Sequence, residues 1–332
     1  MLAYSVRRLV LGVGVLFVAT FGLFWVISSR INPLWPYLLN PPKNPKVLED
    51  AKARAGVGMS IWERYWHWLE GAVHHGTFGR FTVIENVPVW PAIWNGLQQT
   101  AELAAASIVV IAVFSILIGT IAATRPGSFT DVLLRGAGYI TWSIPVFLVA
   151  LGLQELFVRL GLFGLHPFGS FFHYQPPTQF HAAPPSIGHQ VVAWFRKEAL
   201  PVTAVSLTFV GGYSRYVRSS MLVALNAPYS VVARSKGLPE RCVIVRHALR
   251  TALIPFVSVF ALDFGNLFSA TLVADVVFSI GGLGSLFVNA LSNTDPWELN
   301  ALLGVTALTV IAFSLFADVV YGFLDPRIRV TG

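Results

Sequence analysis

The sequence is poor in charged residues and has almost no cysteine. Only 12% of its 332 residues are Asp, Glu, Lys or Arg, whereas 55% are hydrophobic. Globular proteins carry about 25% charged residues, so this chain lacks the charge to cover a water-facing surface. The single cysteine, Cys242, excludes an intramolecular disulfide framework and a cysteine-rich metal site. The composition indicates an integral membrane protein and excludes most classes of soluble enzyme.

Motifs for catalysis and for metal binding are also absent. No G-x-x-x-x-G-K-[ST] phosphate-binding loop occurs in the sequence, so the chain has no motif for hydrolysing ATP by itself. The histidines of a proline-rich stretch, whose spacing does not match that of zinc ligands, are His166, His173, His181 and His189. We therefore expect no catalytic residue, no bound cofactor and no metal site.

Long uncharged runs predict six transmembrane helices, because a helix needs about 20 apolar residues to cross a bilayer. The uncharged runs are residues 9–29, 103–124, 136–154, 199–214 and 299–317, and a further apolar run, about 251–279, is broken by Asp263 and Asp275. The first is longer than the apolar region of a signal peptide, and no small-residue cleavage site follows it cleanly. We therefore expect it to be retained as a helix.

The distribution of basic residues predicts the orientation of these helices. With six spans, residues 1–8, 125–135, 215–250 and 325–332 fall on one side, where they hold thirteen Lys and Arg residues. Basic residues near helix ends favour the cytoplasmic side. We therefore expect both termini to be cytoplasmic, and the net charge of +7 to reflect topology rather than nucleic-acid binding.

The chain divides by composition into a first span (residues 1–29), an extracytoplasmic segment (30–98), a core of five helices (99–324) and a tail (325–332). Residues 47–54 and 61–73 of the extracytoplasmic segment predict two short amphipathic helices. The second has an aromatic face formed by Trp62, Tyr65, Trp66, Trp68 and Leu69. We expect this face to lie on the lipid headgroups, and a platform that contacts substrate is the alternative.

Three residues within the predicted spans are candidates for the pathway or for a structural role. Acids inside a membrane are costly unless paired or hydrated, so Asp263 and Asp275 are candidates by their position. We expect Asp263 to face the bundle interior or an aqueous path, and Asp275 to reach water at the outer end of its span. A paired structural role is the alternative for both acids. Pro145 lies within the third span and is the third candidate.

The most informative segment, residues 213–255, is too polar to span a membrane and too long for a simple turn. Residues 229–236 predict a short amphipathic helix that Gly237 ends. Pro239 then begins a second helix, in which Val243 and Ile244 alternate with basic residues. A helix, a glycine turn and a helix make a basic projection suited to docking into a soluble partner.

This segment resembles the coupling (EAA) loop of bacterial ABC-importer permeases, and the match is closest to the dipeptide/oligopeptide (DppB/OppB-like) subfamily. The resemblance is carried by Ala233-Arg-Ser-Lys-Gly237-Leu238, Val243 and Arg246-His-Ala-Leu-Arg250-Thr-Ala-Leu-Ile-Pro255. Agreement continues in order along nearly the whole chain, at Arg7-Arg8, Tyr65-x-x-Trp68, Gly76-Thr-Phe-Gly79, Ser143-Ile-Pro-Val-Phe147, Val277-Phe278, Gly281-Gly-Leu-Gly284, Asp318-x-x-Tyr321 and Leu324-Asp-Pro-Arg-Ile-Arg329. The chain departs from the family at the start of the loop, where Val231-Val232-Ala233 replaces Glu-Ala-Ala.

The resemblance implies an all-α, six-helix permease of the type I ABC-importer fold in a prokaryotic cell membrane. It implies a second permease subunit, one or two ATPase subunits that use ATP and magnesium, and an extracytoplasmic substrate-binding protein. By this resemblance the loop, about residues 222–250, couples to the ATPase through Ala233, Arg234, Lys236, Gly237, Leu238, Arg241, Val243 and Arg246. Gly237 would allow the bend, while Arg234, Lys236 and Arg241 would address the ATPase surface. Simple positive-inside topology is the alternative for these basic residues.

Several functions remain open at this stage. The subfamily is linked to di- and oligopeptides, but relatives carry oligosaccharides, nickel, glutathione or haem. A secondary transporter would show inverted repeats with interrupted helices in both halves, and no convincing repeat is visible. A membrane enzyme is disfavoured because the separated His and Asp residues form no dyad on one helix face.

Overall fold

The computed structural model describes residues 2–34, 37–38, 44–75, 88–160 and 187–324. These residues form helices and turns, with no β-strand among them. The helices are α1 (Leu2–Arg30), α2 (Pro45–Arg54), α3 (Ile61–His75), α4 (Trp90–Thr124), α5 (Phe129–Ser143), α6 (Val146–Arg159), α7 (Ile187–Leu225), α8 (Pro228–Ser235), α9 (Glu240–Leu262), α10 (Phe264–Phe278), α11 (Leu283–Ser292) and α12 (Pro296–Leu324). The fold is therefore all-α, as predicted.

Four of the described helices are long and apolar enough to cross a membrane, namely α1, α4, α9 and α12. The number rises to six if each of two bent pairs counts as one span. The pair α5–α6 bends by 102°, and the pair α10–α11 bends by 63°. The α5–α6 bend lies at Pro145, which ends the run of backbone hydrogen bonds and begins α6.

Three predicted spans differ from the structure, and the first of them, residues 136–154, divides between α5 and α6 at Pro145. The predicted span over residues 251–279, broken by Asp263 and Asp275 in the sequence, divides between α9 and α10 at Asp263, whereas α10 continues through Asp275. The predicted span at residues 199–214 lies within the 39-residue α7, which is not among the apolar candidate spans. That helix packs against α5, α6, α9 and α10. Much of its surface therefore contacts protein and does not have to be as apolar as a surface that faces lipid.

The described chain divides into two compact units, one of which contains residues 101–280. In this unit α7 supplies a buried stripe at every fourth residue, formed by Val205, Phe209, Tyr213, Val217 and Met221. Such spacing places the side chains on one face of a helix. The stripe is the centre of the hydrophobic core of this unit.

The contact between α5 and α7 depends on two glycines. A Cβ added to Gly211 would overlap the carbonyl oxygen of Gly138, so the two backbones meet without intervening side chains. Small residues allow such close approach in membrane proteins, where dispersion and polar contacts rather than water exclusion hold helices together.

The second unit contains residues 2–100 and 281–315. Its aromatic core joins α1 to α3 through Phe24, Tyr65 and Trp68, which are almost fully buried. Helix α3 begins at a capping box in which the Ser60 hydroxyl accepts from the Glu63 amide, while a Glu63 carboxylate oxygen accepts from the Ser60 amide at 2.8 Å.

The structure confirms both short helices predicted in the extracytoplasmic segment, as α2 and α3. The Gly76–Gly79 motif, three of the four histidines of the proline-rich stretch and the tail from residue 325 lie outside the described residues. The orientation of the termini stays a prediction.

Candidate coupling loop and pathway residues

The predicted helix, glycine turn and second helix are all present between α7 and α9. Helix α8 ends at Ser235, and Gly237 adopts a φ of +76°. This left-handed conformation is readily accessible to glycine. The Gly237 amide donates to the carbonyl of Arg234 at 2.9 Å. The turn is therefore set by the backbone of Gly237.

Arg234 ties together three parts of this loop. Its guanidinium donates to both carboxylate oxygens of Glu240, at 3.1 and 2.8 Å, and to the carbonyl of Leu225 at 2.9 Å. Leu225 is the last residue of α7 and Glu240 the first of α9, so one side chain joins the ends of both long helices. Hydrogen bonding to Glu240 raises the pKa of Arg234.

A second contact holds α8 against the end of α7. The hydroxyl of Ser230 is buried and donates to the carbonyl of Ala224 at 2.7 Å. Carbonyls in the last turn of a helix lack intrahelical partners, and Ser230 satisfies one of them. The segment α7–α8–α9 is thus fixed by side chains as well as by its turn.

The eight residues predicted for this loop divide by exposure. Ala233 and Val243 are buried and anchor the loop. The exposed members are Arg234, Lys236, Gly237, Leu238, Arg241 and Arg246. Further exposed apolar side chains, which the prediction did not include, are Tyr229, Val231, Val232 and Val245. The outer surface of the loop is therefore both basic and apolar.

The start of α9 contains a π-helical turn, Val243–Ala248, which nothing in the sequence analysis predicted. The amide of Leu249 donates to the carbonyl of Ile244, one residue further back than in an α-helix. Such turns are rare and occur frequently at functional sites. This one lies where the loop enters a long membrane helix.

Asp263 lies at the junction of α9 and α10. Its carboxylate accepts a hydrogen bond from the hydroxyl of Tyr213 at 2.7 Å and another from the amide of Asn266. The rings of Phe256 and Phe260 pack on Tyr213. Asp263 thus faces the interior of its own unit, which is one of the two predicted surroundings.

Asp275 is fully buried, so the expectation that it reaches water at the outer end of its span is wrong. The reason is that α10 packs against both α6 and α7, which cover this carboxyl group. Glu198 on α7 is also fully buried and lies within electrostatic range of Asp275. The ammonium group of Lys197 lies 3.3 Å from the Glu198 carboxylate. Sequence reasoning missed Glu198 because it treated this residue only as the charged boundary of an apolar run.

A buried ion pair joins α5 to α7, and the sequence analysis missed it. Arg218 donates to both carboxylate oxygens of Asp131, at 2.6 and 2.7 Å, and the amide of Gly127 donates to one of them at 2.9 Å. Asp131 is fully buried. The two partners are 87 residues apart, so no local pattern pairs them.

The described residues contain no group of three or more His, Cys, Asp or Glu side chains that could hold a metal ion. Three of the histidines considered for such a site lie outside those residues. The sites that the structure does describe are the loop and a few isolated polar networks among apolar helices.

Continuous and broken helices long and apolar enough to cross a membrane, with a polar helix–turn–helix loop between α7 and α9, define a multi-span membrane protein. Residues 115–330 match the family of binding-protein-dependent transport system inner membrane components, and this chain belongs to that family. It is therefore a non-catalytic membrane component located in the prokaryotic cell membrane.

Curated relatives match the chain over its whole length. It is 30% identical over 99% of its residues to the oligopeptide transport system permease protein AppB of Bacillus subtilis, all of which is covered. It is 29% identical, with both chains fully covered, to the oligopeptide transport system permease protein OppB of Mycobacterium tuberculosis. It is 27% identical over 99% of its residues to all of the dipeptide transport system permease protein DppB of Alkalihalophilus pseudofirmus.

The fold is also similar to a solved structure, the crystal structure of an amino acid ABC transporter with histidines. The TM-score is 0.50 at 11% sequence identity, with 70% of this chain and 93% of that chain covered. At this identity the likeness concerns the fold alone.

Proposed function

We propose that this chain forms half of the translocation pathway of an ATP-driven peptide importer. Its partners are a second permease subunit, one or two ATPase subunits and an extracytoplasmic substrate-binding protein. Peptides are the favoured substrate because the full-length relatives are named for oligopeptide and dipeptide transport. Both termini and the α7–α8–α9 loop lie on the cytoplasmic side.

The architecture of the loop is the observation that carries this proposal. Its exposed surface combines basic side chains with apolar ones such as Val231 and Val232, each 51% exposed. Exposed apolar groups on a polar segment mark an interaction surface. The loop is also rigid, because Arg234 fastens the end of α7 to the start of α9. A partner that pushes on the loop therefore moves both helices.

The same helices lead from the loop to the polar junction at Asp263. Helix α9 covers 23 residues, which is about 35 Å at 1.5 Å per residue. It ends beside Tyr213 of α7, which holds the carboxylate of Asp263. Closure of the ATPase pair would move the loop, and α9 would transmit this movement to the break between α9 and α10. At this break the pathway would change the side of the membrane to which it is open.

Isolation of the complex, followed by a substrate panel, tests the proposal. The tagged chain should co-purify with an ATPase and a sister permease, and a cysteine at Leu238 should cross-link to the ATPase. With the binding protein added, di- and oligopeptides should stimulate ATP hydrolysis. If oligosaccharide, nickel, glutathione or haem stimulates ATP hydrolysis instead, the protein is still part of an ATP-driven importer, but the assignment of peptides as its substrate is refuted. A chain that purifies alone, with no ATPase bound, would refute the coupling.

A further inference from the structure

Helix α3 of the extracytoplasmic segment carries three parallel stripes of side chains. Within a stripe the residues follow one another at intervals of three, four or seven, which places them on one helix face. The stripes are, in order around the helix, Ile61, Tyr65, Trp68 and Ala72; then Trp62, Trp66 and Val73; and then Glu63, His67, Glu70 and His74. The first faces protein, the second is apolar and exposed, and the third is polar and exposed.

Contacts with α1 show which way α3 runs. Trp62 contacts Phe17 and Phe21, whereas Trp68 contacts Phe24. Residue numbers thus rise together along the two helices, so α3 runs beside α1 in the same direction. Between these contacts the hydroxyls of Tyr65 and Thr20 lie 2.9 Å apart in a hydrogen bond. A helix crossing the end of α1 at the membrane surface would not follow successive turns in this order.

The depth of these contacts follows from the apolar span of α1, which ends at Arg30. At 1.5 Å per residue, Phe24 lies about 9 Å and Phe17 about 20 Å from Arg30 along the axis. Half of the hydrocarbon layer is about 15 Å thick, so α3 begins near the middle of the bilayer. A contact with α12 agrees, because Trp68 packs beside Gly304, about 12 Å from the start of that helix at the same rise.

The polar stripe therefore lies at the depth of the outer half of the bilayer. The side chains of His67 and Glu70 are 66% and 54% exposed, and the Nδ1 atom of His67 lies 4.0 Å from a carboxylate oxygen of Glu70. Glu63 is exposed as well. Charged side chains facing hydrocarbon cost several kcal/mol each and occur in membranes where they meet water or protein. The apolar stripe, with Trp66 at 53% exposure, carries no such cost.

We propose that α3 is a half-membrane helix whose polar stripe lines a water-filled vestibule open to the outer face, while its apolar stripe contacts lipid. In this arrangement Glu63, His67 and Glu70 form the acidic and imidazole-bearing wall of the outer entrance. The arrangement replaces the predicted position of this helix flat on the headgroups. It builds on the proposed role in a pathway, but it can be measured without transport.

Cysteine accessibility in the assembled complex tests the vestibule, with labelling read on this subunit after it is separated from the others, and only one native cysteine has to be removed from this chain. In a Cys242→Ser chain, His67→Cys and Glu70→Cys are compared with Trp66→Cys, which lies at nearly the same depth as His67 on the neighbouring stripe. A charged, membrane-impermeant thiosulfonate is added from outside, and labelling is normalised to total thiol after denaturation. Because the thiolate reacts and forms only in water, we expect His67→Cys and Glu70→Cys to react at least about tenfold faster than Trp66→Cys.

Each outcome of the labelling decides the question. The vestibule is refuted if all three cysteines are labelled at equal rates or if Trp66→Cys is labelled faster. It is also refuted if both His67→Cys and Glu70→Cys are protected from the reagent. Glu70→Cys lies outside the capping box and the aromatic core, so it serves as the second variant if His67→Cys does not assemble. If the complex shows the predicted labelling pattern but does not import peptide, the proposed function is refuted and the vestibule is supported.

Discussion

In this protein, single side chains join segments that are far apart in the sequence. Arg234 fastens α7, α8 and α9 through Glu240 and the carbonyl of Leu225. The resemblance assigned Arg234 to the ATPase surface, and its side chain is exposed as well as bonded within the loop, so this assignment stays a prediction. Lys236 and Arg241, which are exposed, are further candidates for docking.

The Arg234–Glu240 pair predicts a rescue by charge exchange. Arg234→Glu and Glu240→Arg should each lower ATP-dependent uptake, because like charges then meet where the helix ends are joined. The double variant should restore most of the uptake. Uptake is measured with labelled peptide in membrane vesicles whose orientation has been checked. Arg241→Glu serves as the control, since Glu240→Arg should not rescue it. Failure of the exchange to rescue would show that Arg234 acts on the partner instead.

The buried pair of Asp131 and Arg218 predicts a loss of stability. Asp131→Asn removes a charge that Arg218 contacts with two nitrogens, and charge-assisted hydrogen bonds of this kind contribute about 1.5–3 kcal/mol. We expect a lower apparent melting temperature of the purified complex. Glu155→Gln is the matched control, because its pair with Arg159 is exposed and contributes about 0–1 kcal/mol. Equal melting temperatures for the two variants would contradict this account.

At the scale of elements, the breaks between helices matter as much as the helices. Pro145, Gly237 and Asp263 each stand at a break, and only the helix end at Gly237 was predicted, because glycine commonly ends helices. The sequence analysis treated Asp263 only as an acid that breaks an apolar run, because the hydrogen bond from Tyr213, 50 residues away, leaves no local signal. Tyr213 and Asn266 hold its carboxylate there.

The turn at Gly237 predicts a contrast between two substitutions. Gly237→Asn should retain uptake, because asparagine tolerates the left-handed conformation, whereas Gly237→Val should abolish it, because a β-branched residue does not. Apart from the two neighbouring residues, no atom of this chain lies within 4 Å of a Cβ added at this position, so neither side chain is crowded within the loop. Membrane insertion, followed by the amount of chain in washed membranes, should be the same for both. Equal uptake by the two variants would show that the turn can relax.

Part of the fold could be read from local patterns, and part depends on contacts over long distances. The apolar runs predicted α1, α4 and α12, and the loop helices followed from their spacing. The burial of Asp275 could not be predicted, because α6 and α7 cover it from elsewhere in the chain. The same holds for Gly211, whose close contact with Gly138 leaves no signal in the neighbouring residues.

At the scale of the molecule, the chain is a mechanical component with no catalytic machinery of its own. Its low charge reflects the membrane, and in the proposed function its basic loop is the surface on which the ATPase acts. The polar networks at Asp263 and Asp131 lie within one unit, so a displacement of the loop can reach them through α7 and α9. Energy and substrate delivery are supplied by other subunits in this account.

Reconstituted peptide uptake tests this account most directly. Proteoliposomes should contain either the chain alone or the chain with its sister permease, its ATPase and the binding protein, and labelled peptide should be followed with and without ATP. The account predicts uptake only in the complete assembly and only with ATP, and the loss of that uptake in Gly237→Val. Uptake by the chain alone, without ATP, would contradict it and identify a secondary transporter.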